Sequence, residues 1–232
     1  MKSVIGIPAR YGSKRFPGKP LVNVAGVPMI VRVWQQACKS KLAQDVIVAT
    51  DDKRIADVVD AAGGIAVITD SDLPTGTDRV CAAIQGLDAD IVVNLQGDEP
   101  LIQPENIDIA ITALMDSNSA VVSTLATPVR SEQEVWDKNA VKVLLDQRGY
   151  AIYFSRMPIP YPNDTRIVEP EKYLRHIGLY VFTRDFLENY VIAPPCWTEK
   201  TEKLEQLRVL DLGRKIKVEI VDEVFPGVDT PE

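Results

Sequence analysis

Pro8-Ala9-Arg10-Tyr11-Gly12-Ser13-Lys14-Arg15-Phe16-Pro17-Gly18-Lys19-Pro20 directly follows the short apolar run Val4-Ile5-Gly6-Ile7. Four cations, two glycines and three prolines in thirteen residues exclude a helix interior and a central strand, since proline removes a backbone donor and glycine weakens both. The stretch reads as a loop at the end of a β-strand. Such a loop turns several backbone N–H groups toward one point, and Arg and Lys beside them supply full positive charge, the parts needed to hold a polyphosphate. The chain as a whole is acidic, with formal net charge −7, so a basic loop runs against its background and points to an anionic ligand. The same letters also suit a solvated surface loop, since loops are polar in general.

Downstream of the loop the chain alternates strand and helix signals. Ile30, Val31, Trp34, Ala37 and Cys38 fall on one face of a helix over residues 28–38, with Pro28 in its first turn. Asp45 to Thr50 is a β-branched run suited to a strand buried on both faces. Ile55, Val58, Val59 and Ala62 align on a second helix that stops at Gly63-Gly64, and Ile65 to Ile68 is a third strand. A turn at Leu73 to Arg79 leads into a helix placing Val80, Ala83, Ile84 and Leu87 inward. Asp90 to Leu95 is a fourth strand, ending at Gln96-Gly97-Asp98-Glu99-Pro100, and a helix over residues 105–115 follows. This repetition predicts an α/β fold with a Rossmann-like, mostly parallel sheet and helices on both faces. Ligands in such sheets sit beyond the carboxyl ends of the strands, where both the basic loop and Gln96-Gly97-Asp98 fall.

The second half is less regular. Strands are expected over residues 120–126, 140–145, 150–154, 173–182 and 215–220, and a helix over 202–210 with Leu204, Leu207 and Leu210 inward. Residues 158–170, rich in proline and polar side chains, suit an exposed excursion. No linker separates the halves, so a smaller α+β lobe interleaved with the first sheet is expected, within one domain spanning residues 1–232.

Composition removes several function classes. At 232 residues, with 46% hydrophobic and 25% charged residues, the chain has the balance of an ordinary globular protein. No apolar run approaches the ~20 residues that cross a bilayer. Met1-Lys2-Ser3-Val4 enters a strand at once without the pattern of a signal peptide, which predicts a cytoplasmic location. Three cysteines, Cys38, Cys81 and Cys196, lack metal-ligand spacing and read as reduced thiols. Outside the first loop there is no basic stripe for nucleic acid. His176 is the only histidine, which removes histidine-based triads and zinc clusters. Glycine fingerprints of dinucleotide and P-loop sites are missing, because Gly12 and Gly18-Lys19 are spaced one too far and Pro20 follows. Asp98, at the end of a strand, suits a magnesium ligand, and Asp229 in Gly227-Val228-Asp229-Thr230-Pro231 offers a second carboxylate; each sequence equally suits a turn.

Taken in order, the motifs are more specific than any one of them. The opening loop resembles that of sugar nucleotidylyltransferases that use CTP. Ala49-Thr50-Asp51-Asp52, Thr75-Gly76-Thr77-Asp78-Arg79, Asn94 to Pro100, Val141-Lys142-Val143, Tyr153 to Pro160, Arg175 to Tyr180, Leu204 to Arg208 and Gly227 to Glu232 narrow it. Together they resemble the branch of that family acting on 3-deoxy-manno-octulosonate (Kdo). The resemblance implies a transferase joining CTP and Kdo into CMP-Kdo and pyrophosphate for lipopolysaccharide, as a magnesium-dependent homodimer. It implies that Arg10 and Lys19, with Arg15, neutralise the triphosphate, and that Asp98 and Asp229 hold Mg2+. Thr75, Arg79 and Gln96, with the backbone at Ala9, are expected to read cytosine. Arg156, His176, Glu205 and Gln206 are expected to hold the sugar, the two cations facing its carboxylate. Residues 1–115 then form mainly the CTP half, and 116–232 mainly the sugar and dimerisation half. Where the family usually has Arg this sequence has Thr183, and Cys196-Trp197 replaces a more polar pair. The same resemblance leaves room for another acidic sugar, 8-amino Kdo or a sialic acid, or for an inactive nucleotide-binding module.

Overall fold

Strand β1 (Ser3–Ala9) shows how the sheet acquires two apolar faces. Successive strand side chains point to opposite sides, so Ile5, Ile7 and Ala9 enter one core cluster while Val4 enters another. Strand β4 (Asp45–Thr50) repeats the split, with Val48 on the first face and Ile47 and Ala49 on the second. A strand apolar on both faces is stable only with helices on both. The computed structural model describes residues 1–12, 16–163 and 166–222.

In chain order, β1 is followed by a hairpin of β2 (Asn23–Val24) and β3 (Val27–Pro28), then α1 (Met29–Ala37), β4, α2 (Lys53–Ala61), β5 (Ile65–Ile68), α3 (Gly76–Ala83), β6 (Ile91–Leu95) and α4 (Pro104–Met115). The second half contains β7 (Ala120–Pro128), α5 (Glu132–Trp136), β8 (Lys142–Leu145), β9 (Ala151–Ser155), β10 (Leu174–Thr183), α6 (Arg184–Ile192), α7 (Trp197–Glu202), α8 (Gln206–Asp211) and β11 (Lys215–Ile220). The sheet runs β11-β7-β10-β6-β1-β4-β5, with β8 and β9 branching from β10. From β6 to β5 every pairing is parallel, β11 joins β7 in parallel, and β10 enters antiparallel between β6 and β7. The expected α/β fold is therefore present, and the second half completes the same sheet.

Ile30 and Val33 of α1, Ile55 and Val59 of α2, and Ile107 and Ile111 of α4 cover one face. Val80 of α3, Phe186 and Leu187 of α6, and Leu207 of α8 cover the other. Each of these buried side chains contributes on the order of 1.5–3 kcal/mol. Two parts of the fold depart from the sequence expectation. The helix expected over 202–210 is two helices, broken where Lys203 turns left-handed at φ 57° and closes α7. The break lets Leu204 and Leu207 both enter the second core and sets Glu205 at the start of α8. Short α5, α6 and the β2–β3 hairpin have no strong periodic signal; Ser131 caps α5 by accepting from the Glu134 amide.

Candidate active site

Because β1 lies between β4 and β6, successive connections leave it in opposite directions, and the loops after β1 and β6 diverge to open a crevice. A cavity of about 370 Å³ lies there, lined by Ala9, Arg10 and Lys19 from the first loop, Thr75 and Gly76 at the start of α3, Gln96, Gly97 and Asp98 after β6, and Glu205. The backbone is drawn tight to make it. A Cβ at Gly97 would sit 2.8 Å from the Pro8 carbonyl oxygen, so only glycine lets the two strand ends approach this closely. Gly18, at φ +73°, turns the basic loop back, and its amide donates to the Tyr11 carbonyl at 2.9 Å.

Charge is arranged around the cavity. The Lys19 ammonium is 2.7 Å from Asp98 Oδ2. Arg10 donates through its guanidinium to the Leu73 carbonyl, tying the first loop to the segment before α3. At the start of α3, Thr75 Oγ1 accepts from the Asp78 amide at 3.2 Å while Asp78 accepts from the Thr75 amide at 3.1 Å, a reciprocal cap. That cap orders the positive end of the α3 dipole at the cavity wall. Gln96 passes Gly178 of β10, where the pairing with β7 slips between Ile177 and Tyr180. Here the segment after β6 meets β10.

The residues expected at the site divide into two sets. Ala9, Arg10, Lys19, Thr75, Gln96, Asp98 and Glu205 share the cavity. Arg79, expected at cytosine, does not line it. Its guanidinium is fully buried behind the wall, 3.1 Å from Asp51 and hydrogen-bonded to Thr69, and so supports the segment that carries Leu73 to Thr75. Arg156, Gln206 and His176 also lie off the cavity lining. Arg156 donates to the carbonyls of Glu202 at 2.7 Å, Lys138 at 3.0 Å and Lys203 at 3.3 Å, which leaves its charge without a carboxylate among these partners. Gln206 accepts from the Tyr180 hydroxyl at 3.0 Å. His176, expected as a cation, is held neutral instead. Burial pushes its pKa down to about 3, with Phe154 and Tyr180 packed against the ring and Nε2 2.9 Å from Thr124 Oγ1. Arg15 and Asp229 lie outside the described residues.

Glu205 is the second carboxylate on the cavity wall, beside Asp98. Burial raises its pKa, opposed by a hydrogen bond from Thr77 and by Arg208, while Glu199 and Asp78 push further upward. Its main chain is fixed from behind, since the Tyr190 hydroxyl donates to the Glu205 carbonyl at 3.0 Å. Arg208 and Glu199 form a buried two-point pair, Nε to Oε2 at 2.7 Å and Nη2 to Oε1 at 2.5 Å, that locks α7 to α8. Two polar residues without a role from the sequence, Thr77 and Asn94, are buried behind Glu205. The signal for Asn94 was present: an amide inside the apolar strand Ile91–Leu95 must have a partner.

For a metal, the donor chemistry at the cavity fits a hard divalent cation. Asp98 offers a carboxylate and neither histidine nor cysteine lines the wall. Among the described residues no cluster of three or more His, Cys, Asp or Glu could hold a metal ion.

A mostly parallel α/β sheet whose switch point joins cationic side chains, a helix amino terminus and one strand-end carboxylate has the make-up of a nucleotidyltransferase. A family model described as Cytidylyltransferase matches residues 4–216. A 3-deoxy-manno-octulosonate cytidylyltransferase of Bdellovibrio bacteriovorus is 50% identical over all of this chain and 94% of its own length. The same-named Escherichia coli protein is 44% identical over 99% of this chain and 92% of its own. A solved CMP:2-keto-3-deoxy-manno-octonic acid synthetase, complexed with CTP, superposes with TM-score 0.93 at 43% identity, covering 100% of this chain and 94% of that one. A 4-diphosphocytidyl-2C-methyl-D-erythritol synthase from Anaerococcus prevotii shares the fold at TM-score 0.63 and 14% identity. The chain belongs to the 3-deoxy-manno-octulosonate cytidylyltransferase family.

Proposed function

We propose that this enzyme transfers CMP from CTP to the anomeric hydroxyl of 3-deoxy-D-manno-octulosonate, giving CMP-Kdo and pyrophosphate. The observation that carries this reading is the convergence of Arg10, Lys19, Thr75, Gln96, Asp98 and Glu205, from four segments, on one cavity at the β1–β6 switch point. The sugar hydroxyl attacks the α-phosphorus, and the bond from that phosphorus to the oxygen bridging to the β-phosphate breaks. Charge develops on the departing pyrophosphate, so catalysis is positioning plus electrostatic stabilisation. Arg10 and Lys19 supply the cationic side of that stabilisation. The ordered amides at the start of α3 add partial positive charge.

Thr75 and Gln96, with the Ala9 backbone, present hydrogen-bonding groups to the base. A wall that pairs with cytosine rejects uracil because the wrong edge leaves buried groups unpaired. Glu205 receives sugar hydroxyls, and Arg156 is the cation for the sugar carboxylate, a role that neutral His176 does not share. Asp98 is the described residue that would hold Mg2+, with Asp229 as the second ligand. When bound, the metal withdraws charge from the phosphates and lowers their repulsion of the anionic sugar. The enzyme acts as a cytoplasmic homodimer, supplying activated sugar to lipopolysaccharide. Exposed Tyr161 and Val168, at 60% and 73%, lie in the excursion over residues 158–170 and form the apolar part of its contact. No helix among the described residues is long and apolar enough to cross a membrane.

Pyrophosphate release from CTP, measured with and without Kdo and with EDTA, tests the reading. Release that requires Kdo and stops with EDTA is the expected result. CTP binding without release, or release only with a different acidic sugar, overturns it.

A further inference from the structure

Behind the cavity a chain of three side chains joins β6, α3 and the start of α8. Asn94 Nδ2 donates to Thr77 Oγ1 at 3.0 Å, and Thr77 Oγ1 donates to Glu205 Oε2 at 2.8 Å. The direction of this chain follows from counting protons. A threonine hydroxyl has one hydrogen and two acceptor lone pairs; with a lone pair taken by the amide of Asn94, its hydrogen is free to point at the carboxylate. Both supporting residues are almost sealed from solvent, Asn94 at 1% and Thr77 at 4% exposure. Among the described residues, Asn94 Oδ1 is buried without a hydrogen-bond partner. Leaving that oxygen unpaired carries an energetic cost, and the amide is nevertheless oriented to serve Thr77. Neither residue reaches the cavity lining, whereas Glu205 does.

We propose that Thr77 and Asn94 are positioning residues for the acceptor sugar: they occupy Glu205 Oε2 so that the rest of the carboxylate is presented, in one orientation, to a sugar hydroxyl. This rests on the reading of Glu205 as a sugar-side residue. Without Thr77, the carboxylate would lose the hydroxyl that donates to Oε2, in a site where burial, Glu199 and Asp78 already favour its neutral form and Arg208 opposes them. It would then rotate or protonate, and the sugar would lose a charged acceptor while the nucleotide side was untouched.

The test compares Thr77→Val, Thr77→Ser and Glu205→Gln by steady-state kinetics with CTP and Kdo varied separately. A charge-assisted hydrogen bond lost from the binding site raises KM about tenfold. Thr77→Val should raise the KM for Kdo by about that factor and leave the KM for CTP within about twofold, with Thr77→Ser restoring the Kdo value. Asn94→Ala should shift the same constant in the same direction. If Thr77→Val does not fold, Thr77→Ala carries the comparison. A Kdo KM unchanged in the Thr77 variants, while Glu205→Gln raises it, overturns the positioning role. If Glu205→Gln itself leaves the Kdo KM unchanged, the sugar-side assignment of Glu205 fails and the positioning role with it. A parallel rise in both KM values, not rescued by serine, assigns Thr77 to general support of α3 and also overturns the proposal.

Discussion

Lys19 Nζ lies 2.7 Å from Asp98 Oδ2, joining residues 79 positions apart. The sheet makes this meeting possible: β1 and β6 are parallel neighbours, so the loops leaving their carboxyl ends emerge side by side. One cation of the basic loop therefore meets the strand-end carboxylate inside the cavity. Their side chains are only 14% and 38% exposed, which places the pair where water screens it incompletely.

Asp98→Asn keeps the shape of this contact and removes its negative charge. Pyrophosphate release at saturating CTP should fall by about 10²–10³-fold, the scale of losing one electrostatic element of a transfer site. Thermal stability should change little, since Asp98 is partly exposed. An unchanged kcat would remove Asp98 from the reaction.

Gly97→Ala tests the tightness of the crevice. Its methyl would meet the Pro8 backbone oxygen at 2.8 Å, and a backbone atom cannot swing away as a long side chain does. The ends of β1 and β6 must separate, displacing Arg10 relative to Asp98. A shift approaching 1 Å costs on the order of 10²-fold in kcat/KM for CTP. Wild-type kinetics in this variant would show that the close approach has no catalytic consequence.

Buried His176 predicts a stability dependence on pH with a definite sign. Its folded pKa of about 3 lies below its ordinary 6.5, so the unfolded chain binds the proton more readily. The stability associated with the neutral ring is complete above pH 6.5 and is lost as pH falls toward 3. Urea midpoints of wild type and His176→Gln, compared between pH 8 and about pH 4, should show the wild type losing more on acidification. An imidazole NMR titration with a midpoint near 6.5 would contradict the buried neutral ring.

Glu199→Gln breaks the two-point contact with Arg208 and leaves a guanidinium that is only 5% exposed without its counter-charge. Removing one partner of such a pair costs about 3–5 kcal/mol. At roughly 2–4 °C per kcal/mol for a chain of this size, the melting temperature should drop by about 6–20 °C in calorimetry. A drop below about 2 °C would mean that the junction of α7 and α8 is held by apolar packing alone.

The exposed apolar side chains in the excursion over residues 158–170, Tyr161 and Val168, make the association state measurable. Tyr161→Asp places a charge on the apolar part of the proposed contact, next to Trp136, whose ring meets Tyr161 edge-on at 6.1 Å. Light scattering should report a shift from dimer toward monomer at micromolar concentration. Unaltered dimers would move the contact elsewhere.

The order of strands and helices through the first sheet is legible from the chain's letters, because apolar spacing is a local property that each segment carries alone. Ile5 and Ile7 against Val4, or Ile55 and Val59 along α2, announce their faces without any knowledge of neighbours. The letters also mark the basic loop and Gln96-Gly97-Asp98 as strand-end segments on one edge. Tertiary structure alone decided which charged groups meet and which are withdrawn. Arg79 and His176 have the same chemistry in the sequence whether they face a ligand or the interior. Only packing sends Arg79 to Asp51 and surrounds His176 with Phe154 and Tyr180. The break at Lys203 belongs to the same category, since it depends on Leu204 finding a core and on Glu199 finding Arg208. Periodicity is written residue by residue, whereas burial and charge pairing depend on distant segments arriving together.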